Sequence, residues 1–110
     1  MSQSDKRRAL AQSYKAQTAS GGIYRFIHQS GWRSTLRFTS NLEGERNKLR
    51  LYKTAGSTSD IELIEPWRML GAEGFDIEIV EALNQKEGQS AEDYKNDLID
   101  LFNILKKDKI

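Results

Sequence analysis

Two runs of alternating aromatic and β-branched residues, 22–28 and 32–39, flank the turn-forming Gln29-Ser30-Gly31. Period-two alternation on both sides of a short glycine-containing turn predicts a β-hairpin, and Asn41 then marks the start of a helix. The first strand, about 23–28, places Ile23, Arg25 and Ile27 on one face and Tyr24, Phe26 and His28 on the other. Bulk on both faces predicts a central strand, with His28 at the surface or an edge of the hairpin end. The second strand, about 32–39, turns Trp32, Ser34, Leu36 and Phe38 inward, leaving Arg33, Thr35, Arg37 and Thr39 to face solvent or a ligand.

The remaining elements follow from caps and periodicity. Residues 3–17 read as a helix with a narrow Leu10/Tyr14 stripe, and 18–21 as a flexible break. Asn41 caps a helix running to about Thr54 before Ala55-Gly56. Residues 57–60 form a turn with helix-initiating chemistry. Pro66 then predicts a kinked helix or two short ones, because proline removes one hydrogen bond and clashes with the preceding turn. Trp67 is expected to anchor the core. A half-buried third strand spans 75–80, a polar loop 84–90, and Ser90 caps a final helix with a Tyr94/Leu98/Leu101/Phe102/Leu105 stripe. The sum is a small α/β (α+β) domain, a three-stranded, mostly antiparallel sheet flanked by helices, with one domain over 1–110: an N-terminal helix and linker (1–20) and a core (21–105).

Chemistry is constrained mainly by what is scarce. Without cysteine there is no disulfide framework, thiolate nucleophile or cysteine-type zinc site, and a single histidine cannot complete one. No apolar run approaches the roughly 20 residues needed to span a bilayer, so cytoplasmic residence and no membrane partner are expected. The net charge of +1 conceals an asymmetry. Residues 1–55 carry eleven Lys/Arg against three acids, and residues 56–110 six against thirteen, giving +8 and −7. If the bases share a face, that face suits a polyanion; otherwise the two halves pack together and partly neutralise one another. Arg46, Arg50 and Lys53 lie at helical i, i+4, i+7 spacing and form one candidate contact stripe. Arg33, Thr35 and Arg37 form another, a row of guanidinium and hydroxyl donors able to hold phosphate.

Gly22-Ile23-Tyr24, opening the first strand, resembles the first half of the signature of the GIY-YIG nuclease superfamily. Thr39-Ser40-Asn41-Leu42 resembles that family's turn into its first core helix, and Gly56-Ser57 the turn closing it. Trp67, Gly71, Phe75, Ile79 and Glu81-Ala82-Leu83 continue the pattern, so that the resemblance covers roughly residues 20–105. It implies a magnesium-dependent phosphodiesterase fold in which a tyrosine activates water, a glutamate holds Mg²⁺ and an arginine meets the developing charge.

The catalytic positions depart from that pattern. The second half of the signature falls on Thr35-Leu36-Arg37, the helix arginine on Glu45 with Arg46 beside it, two histidines on Leu49 and Thr58, and the metal-binding glutamate on Phe102. One helical step turns a side chain by about 100°, so Arg46 does not replace the missing arginine automatically. A phenyl ring offers no oxygen to a hard cation, and no metal ligand is assigned. The resemblance therefore implies an eroded, non-cleaving domain binding DNA or RNA weakly through Arg33, Thr35, Arg37, Arg46, Arg50 and Lys53. Two alternatives stay open: an active Mg²⁺-dependent endonuclease using Tyr24 and Arg46, and a protein-interaction module.

Overall fold

In the computed structural model, which describes residues 20–108, β1 (Ser20–His28) lies between β2 (Arg37–Thr39) and β3 (Phe75–Asn84), antiparallel to both. The helices are α1 (Leu42–Ala55), α2 (Ile61–Leu70) and α3 (Ala91–Asp108). The fold class is α+β, with the expected antiparallel three-stranded sheet. The proposed helix over 3–17, the linker up to residue 19 and the basic Lys6, Arg7 and Arg8 lie outside the described residues.

Both faces of the central strand are covered. Tyr24 and Phe26 point into a cluster with Leu49 and Leu63, Trp67, Phe75 and Ile77, beneath α1 and α2. Trp67 anchors that cluster, stacked on Phe75 with ring centroids 5.0 Å apart. On the opposite face Ile23, which is wholly buried, shares the interior with Tyr94 and Leu98 of α3, and Phe38 meets Phe102 at 5.3 Å. Burying a side chain of this size contributes about 1.5–3 kcal/mol, so the two faces of β1 hold the layers together.

Local chemistry sets the helix ends. Asn41 Oδ1 accepts from Gly44 N (3.0 Å), and Gly56, at φ +78°, returns its N–H to Tyr52 O (2.8 Å). Asp60 caps α2 by accepting from Glu62 N at 3.1 Å, and Ser90 Oγ accepts from Asp93 N at 3.1 Å ahead of α3. Pro66 sits inside a single ten-residue α2 rather than dividing it. The packing of Leu63 and Trp67 on either side of it offsets the one missing hydrogen bond.

Three sequence expectations are corrected. The second strand is three residues long, not eight, because the chain gains one residue against β1 between Ser34 and Arg37. Arg33 is bridged to Ile27 and Ser34 N donates to Phe26 O (2.8 Å), whereas Arg37 pairs with Tyr24. Ser34 Oγ replaces a ladder carbonyl by accepting from Phe26 N at 2.8 Å. A one-residue slip exchanges faces. Trp32 accordingly joins Phe75 under α2, while Phe38 faces α3. His28 is buried rather than exposed at an edge, its Nδ1 accepting from Ser30 N (2.9 Å) and its Nε2 donating to Glu73 O (3.0 Å). The third strand runs to Asn84 instead of Val80, because β1 begins at Ser20 and its first residues pair with residues 81–84 beyond a bulge.

Candidate functional site

The polar groups nearest Gly22-Ile23-Tyr24 gather where β1 and β2 meet the N-terminal ends of α1 and α2. Tyr24 is 4% exposed, yet its hydroxyl reaches the edge of the core and donates to Glu45 Oε1 at 3.0 Å. Thr39 Oγ1 donates to Glu45 Oε2 at 3.2 Å, and Lys48 Nζ lies 3.6 Å from Oε1. Both carboxylate oxygens are therefore engaged. Burial first, then the charge and hydrogen bond of Glu45, hold the Tyr24 phenol well above its ordinary value of 10.0, while Arg37 opposes the shift.

Arg37, the register partner of Tyr24, forms the second half of the site. Its guanidinium makes a bidentate contact with Asp60, Nη1 to Oδ2 at 2.6 Å and Nη2 to Oδ1 at 2.8 Å, and Nη2 also donates to Glu62 Oε1 at 2.8 Å. The same cation sits 4.8 Å from the centre of the Phe26 ring. Thr35 donates both its N–H (2.7 Å) and its hydroxyl (3.1 Å) to Glu62. The Arg37 hydrogen bond holds Asp60 below the usual carboxylate range against the opposing effect of burial. Burial likewise pushes Glu62 up, but the bonds from Arg37 and Thr35 outweigh it and leave this carboxyl lowered too. The Asp60 bond in turn raises Arg37 further into its permanently charged range.

This arrangement determines what the site can do. A tyrosine serving as general base must lose its proton, and a carboxylate accepting from that hydroxyl opposes the loss. Arg37 pairs with Asp60 and Glu62 and Lys48 with Glu45, so three carboxylates outnumber two cations and leave the local charge negative, which disfavours an approaching phosphate. Among the described residues no group of three or more His, Cys, Asp or Glu side chains is placed to hold a metal ion.

Not all the residues singled out in the sequence come together. Tyr24, Thr35 and Arg37 adjoin, with Glu45 between Tyr24 and Thr39. Arg46 is exposed on α1 and its side chain makes no hydrogen bond or ion pair among the described residues. Arg33 lies on the other face of the sheet, beside Arg25, because of the one-residue slip before Arg37. Phe102 is also on that opposite face, packed against Phe38, and does not approach Tyr24. Arg50 and Lys53 are exposed beside Arg46 along α1, with Arg50 Nη1 donating to Asn47 Oδ1 at 2.8 Å. Two ion-paired clusters join the basic half of the chain to the acidic half, Arg25 with Glu78 and Arg37 with Asp60 and Glu62. The partial neutralisation foreseen as one reading of the charge asymmetry is thus present.

Packing accounts for the Gly-Ile-Tyr triplet by itself. A Cβ on Gly22 would lie 2.3 Å from Glu81 O at the bulge, and one on Gly21 would lie 2.2 Å from Thr39 O and 2.6 Å from the Tyr94 hydroxyl. Ile23 and Tyr24 are core residues of opposite sheet faces. The roles of Asp60 and Glu62 were not apparent from the sequence. Asp60 carried a helix-initiating signal, but nothing local pointed to an arginine 23 residues earlier. Glu45 was marked only as the acid standing where the resemblance placed an arginine. Compared with known proteins, the chain matches no protein-family model, no curated protein and no solved structure.

Proposed function

We propose that this domain has a GIY-YIG-nuclease-like architecture without phosphodiesterase activity, and that it binds DNA or RNA weakly through the basic stripe Arg46, Arg50 and Lys53. The element order of two strands, two helices, a strand and a helix agrees with the order expected from the resemblance. The observation carrying the non-cleaving part is the Tyr24 hydroxyl donated to Glu45, with the adjacent guanidinium bound by Asp60 and Glu62. That pocket stabilises the neutral phenol and already contains the anions that its arginine can hold.

Nucleic-acid contact is assigned to Arg46, Arg50 and Lys53 because these three are exposed and none is ion-paired among the described residues, whereas the fourth cation of α1, Lys48, lies 3.6 Å from Glu45 Oε1. Thr35 and Arg37 are omitted from the contact set because their donors are engaged by carboxylates. Arg33 is omitted because it faces the other side of the sheet. Three phosphate contacts give a log–log salt dependence with slope of about −3 on duplex DNA.

Fluorescence anisotropy with labelled DNA and RNA tests this assignment. Binding should weaken along that slope and fall to background in an Arg46→Glu/Arg50→Glu/Lys53→Glu variant. Binding unaffected by salt, or unchanged in the triple variant, would contradict it. Absence of binding by the wild-type protein would leave protein interaction as the better reading.

A further inference from the structure

On the sheet face away from Tyr24, a cleft of about 740 Å³ opens between the 33–36 segment that precedes β2, Arg25 of β1 and Val80 of β3 on one side and the C-terminal half of α3 on the other. Its apolar surface comes from Leu36, Val80, Phe102 and Leu105, and its polar rim includes Arg33 and Lys106. No carboxylate among the described residues lines it. Arg25, the remaining cation there, is already paired with Glu78, whereas Arg33 has no hydrogen-bonding or ionic partner among the described residues. Lys106 lies 5.1 Å from the centre of the Phe102 ring, extending over the apolar surface with its charge at the margin.

We infer that this cleft is a binding site for a small amphiphilic anion, an aliphatic monocarboxylate whose chain lies on Phe102 and Leu105 and whose head group meets Arg33 and Lys106. The volume is in the range of small-ligand sites, which combine a mainly apolar lining with a few oriented polar groups. The uncompensated cations select the sign of the head group, and a guanidinium can engage a carboxylate through two parallel hydrogen bonds. The one-residue slip in the second strand helps create the site. By turning Arg33 to this face and Arg37 to the other, it leaves one guanidinium bound by carboxylates and the other available.

Titration of ¹⁵N-labelled full-length protein with decanoate tests the inference, with decyltrimethylammonium and decanol as controls. Decanoate should give saturable amide shifts confined to residues 33–36, Val80 and 102–106, and neither control should reproduce them. The Arg33→Glu/Lys106→Glu variant should bind at least about tenfold more weakly, because both opposed charges are reversed. Both residues are exposed, and unchanged thermal unfolding of that variant would separate lost binding from lost folding. Equal responses to anion and cation, shifts spread over the α1–α2 side, or undiminished affinity in the double variant would each overturn the proposal. Nucleic-acid binding by α1 is not expected to depend on this cleft, so failure of either assignment is read separately.

Discussion

Replacing Arg37 with methionine removes a charge while keeping much of the stem that covers Phe26. The side chains of Arg37, Asp60 and Glu62 are 24%, 17% and 31% exposed, so the cluster is neither fully solvated nor deeply buried. Exposed ion pairs contribute about 0–1 kcal/mol, whereas removing one member of a buried pair costs about 3–5 kcal/mol. The intermediate burial and the two carboxylates left facing one another place the expected loss at about 2–3 kcal/mol. For a domain of this size that lowers Tm by roughly 10–20 °C.

The pH dependence separates the charge effect from packing. Asp60 and Glu62 lie below their ordinary values of 3.8 and 4.5 in the folded protein. Their stabilisation is therefore complete above those values and is lost as pH falls through the lower folded-state values. In Arg37→Met the largest lowering contribution at each carboxyl is gone, while the bonds from Thr35 and the backbone remain, so burial and mutual repulsion move both groups towards protonation in the folded protein. Acidification should then relieve the variant while it weakens the wild type. Urea unfolding followed by the fluorescence of Trp32 and Trp67 should show the stability difference shrinking between neutral pH and about pH 3. A difference that stays constant across that interval would refute the charge argument and assign the effect to the arginine stem.

Three further outcomes follow from the packing. Gly21→Ala should prevent folding or cost several kcal/mol, because its Cβ would lie 2.2 Å from the backbone oxygen of Thr39, which cannot swing aside as a side chain can; soluble yield and circular dichroism would report it. Phe26→Ala should destabilise by about 3–5 kcal/mol in the same urea assay, since the ring is 1% exposed at the centre of the cluster. In a spectrophotometric titration of the four tyrosines, Tyr24 and Tyr94 should ionise above the ordinary phenol value, and Tyr24→Phe should delete the higher-shifted component.

Much of the fold was legible because its signals are local. Alternation over residues 23–28 identified the central strand and both of its faces, Asn41 and Ser90 marked the starts of two helices, and the 57–60 turn marked that of a third. The second strand was misjudged because alternation continues unbroken through residues 32–39, while the extra residue between Ser34 and Arg37 is dictated by a tertiary hydrogen bond from Phe26 N to a serine side chain. That slip separated Arg33 from Arg37 and divided the expected basic row between two faces. His28 looked peripheral because its Glu73 partner lies 45 residues away, before β3. At the candidate site, Tyr24 and Arg37 were identifiable from the sequence. Their carboxylate partners were not, since contacts across 21–25 residues leave no periodic trace.

The central claim is that the phenol beside Glu45 cannot serve a phosphodiesterase, and plasmid nicking tests it most directly. Supercoiled DNA incubated with the full-length protein in Mg²⁺ or Mn²⁺ should remain intact, with wild type and Tyr24→Phe indistinguishable from buffer. Metal-dependent nicking by the wild type that disappears in Tyr24→Phe would contradict the account.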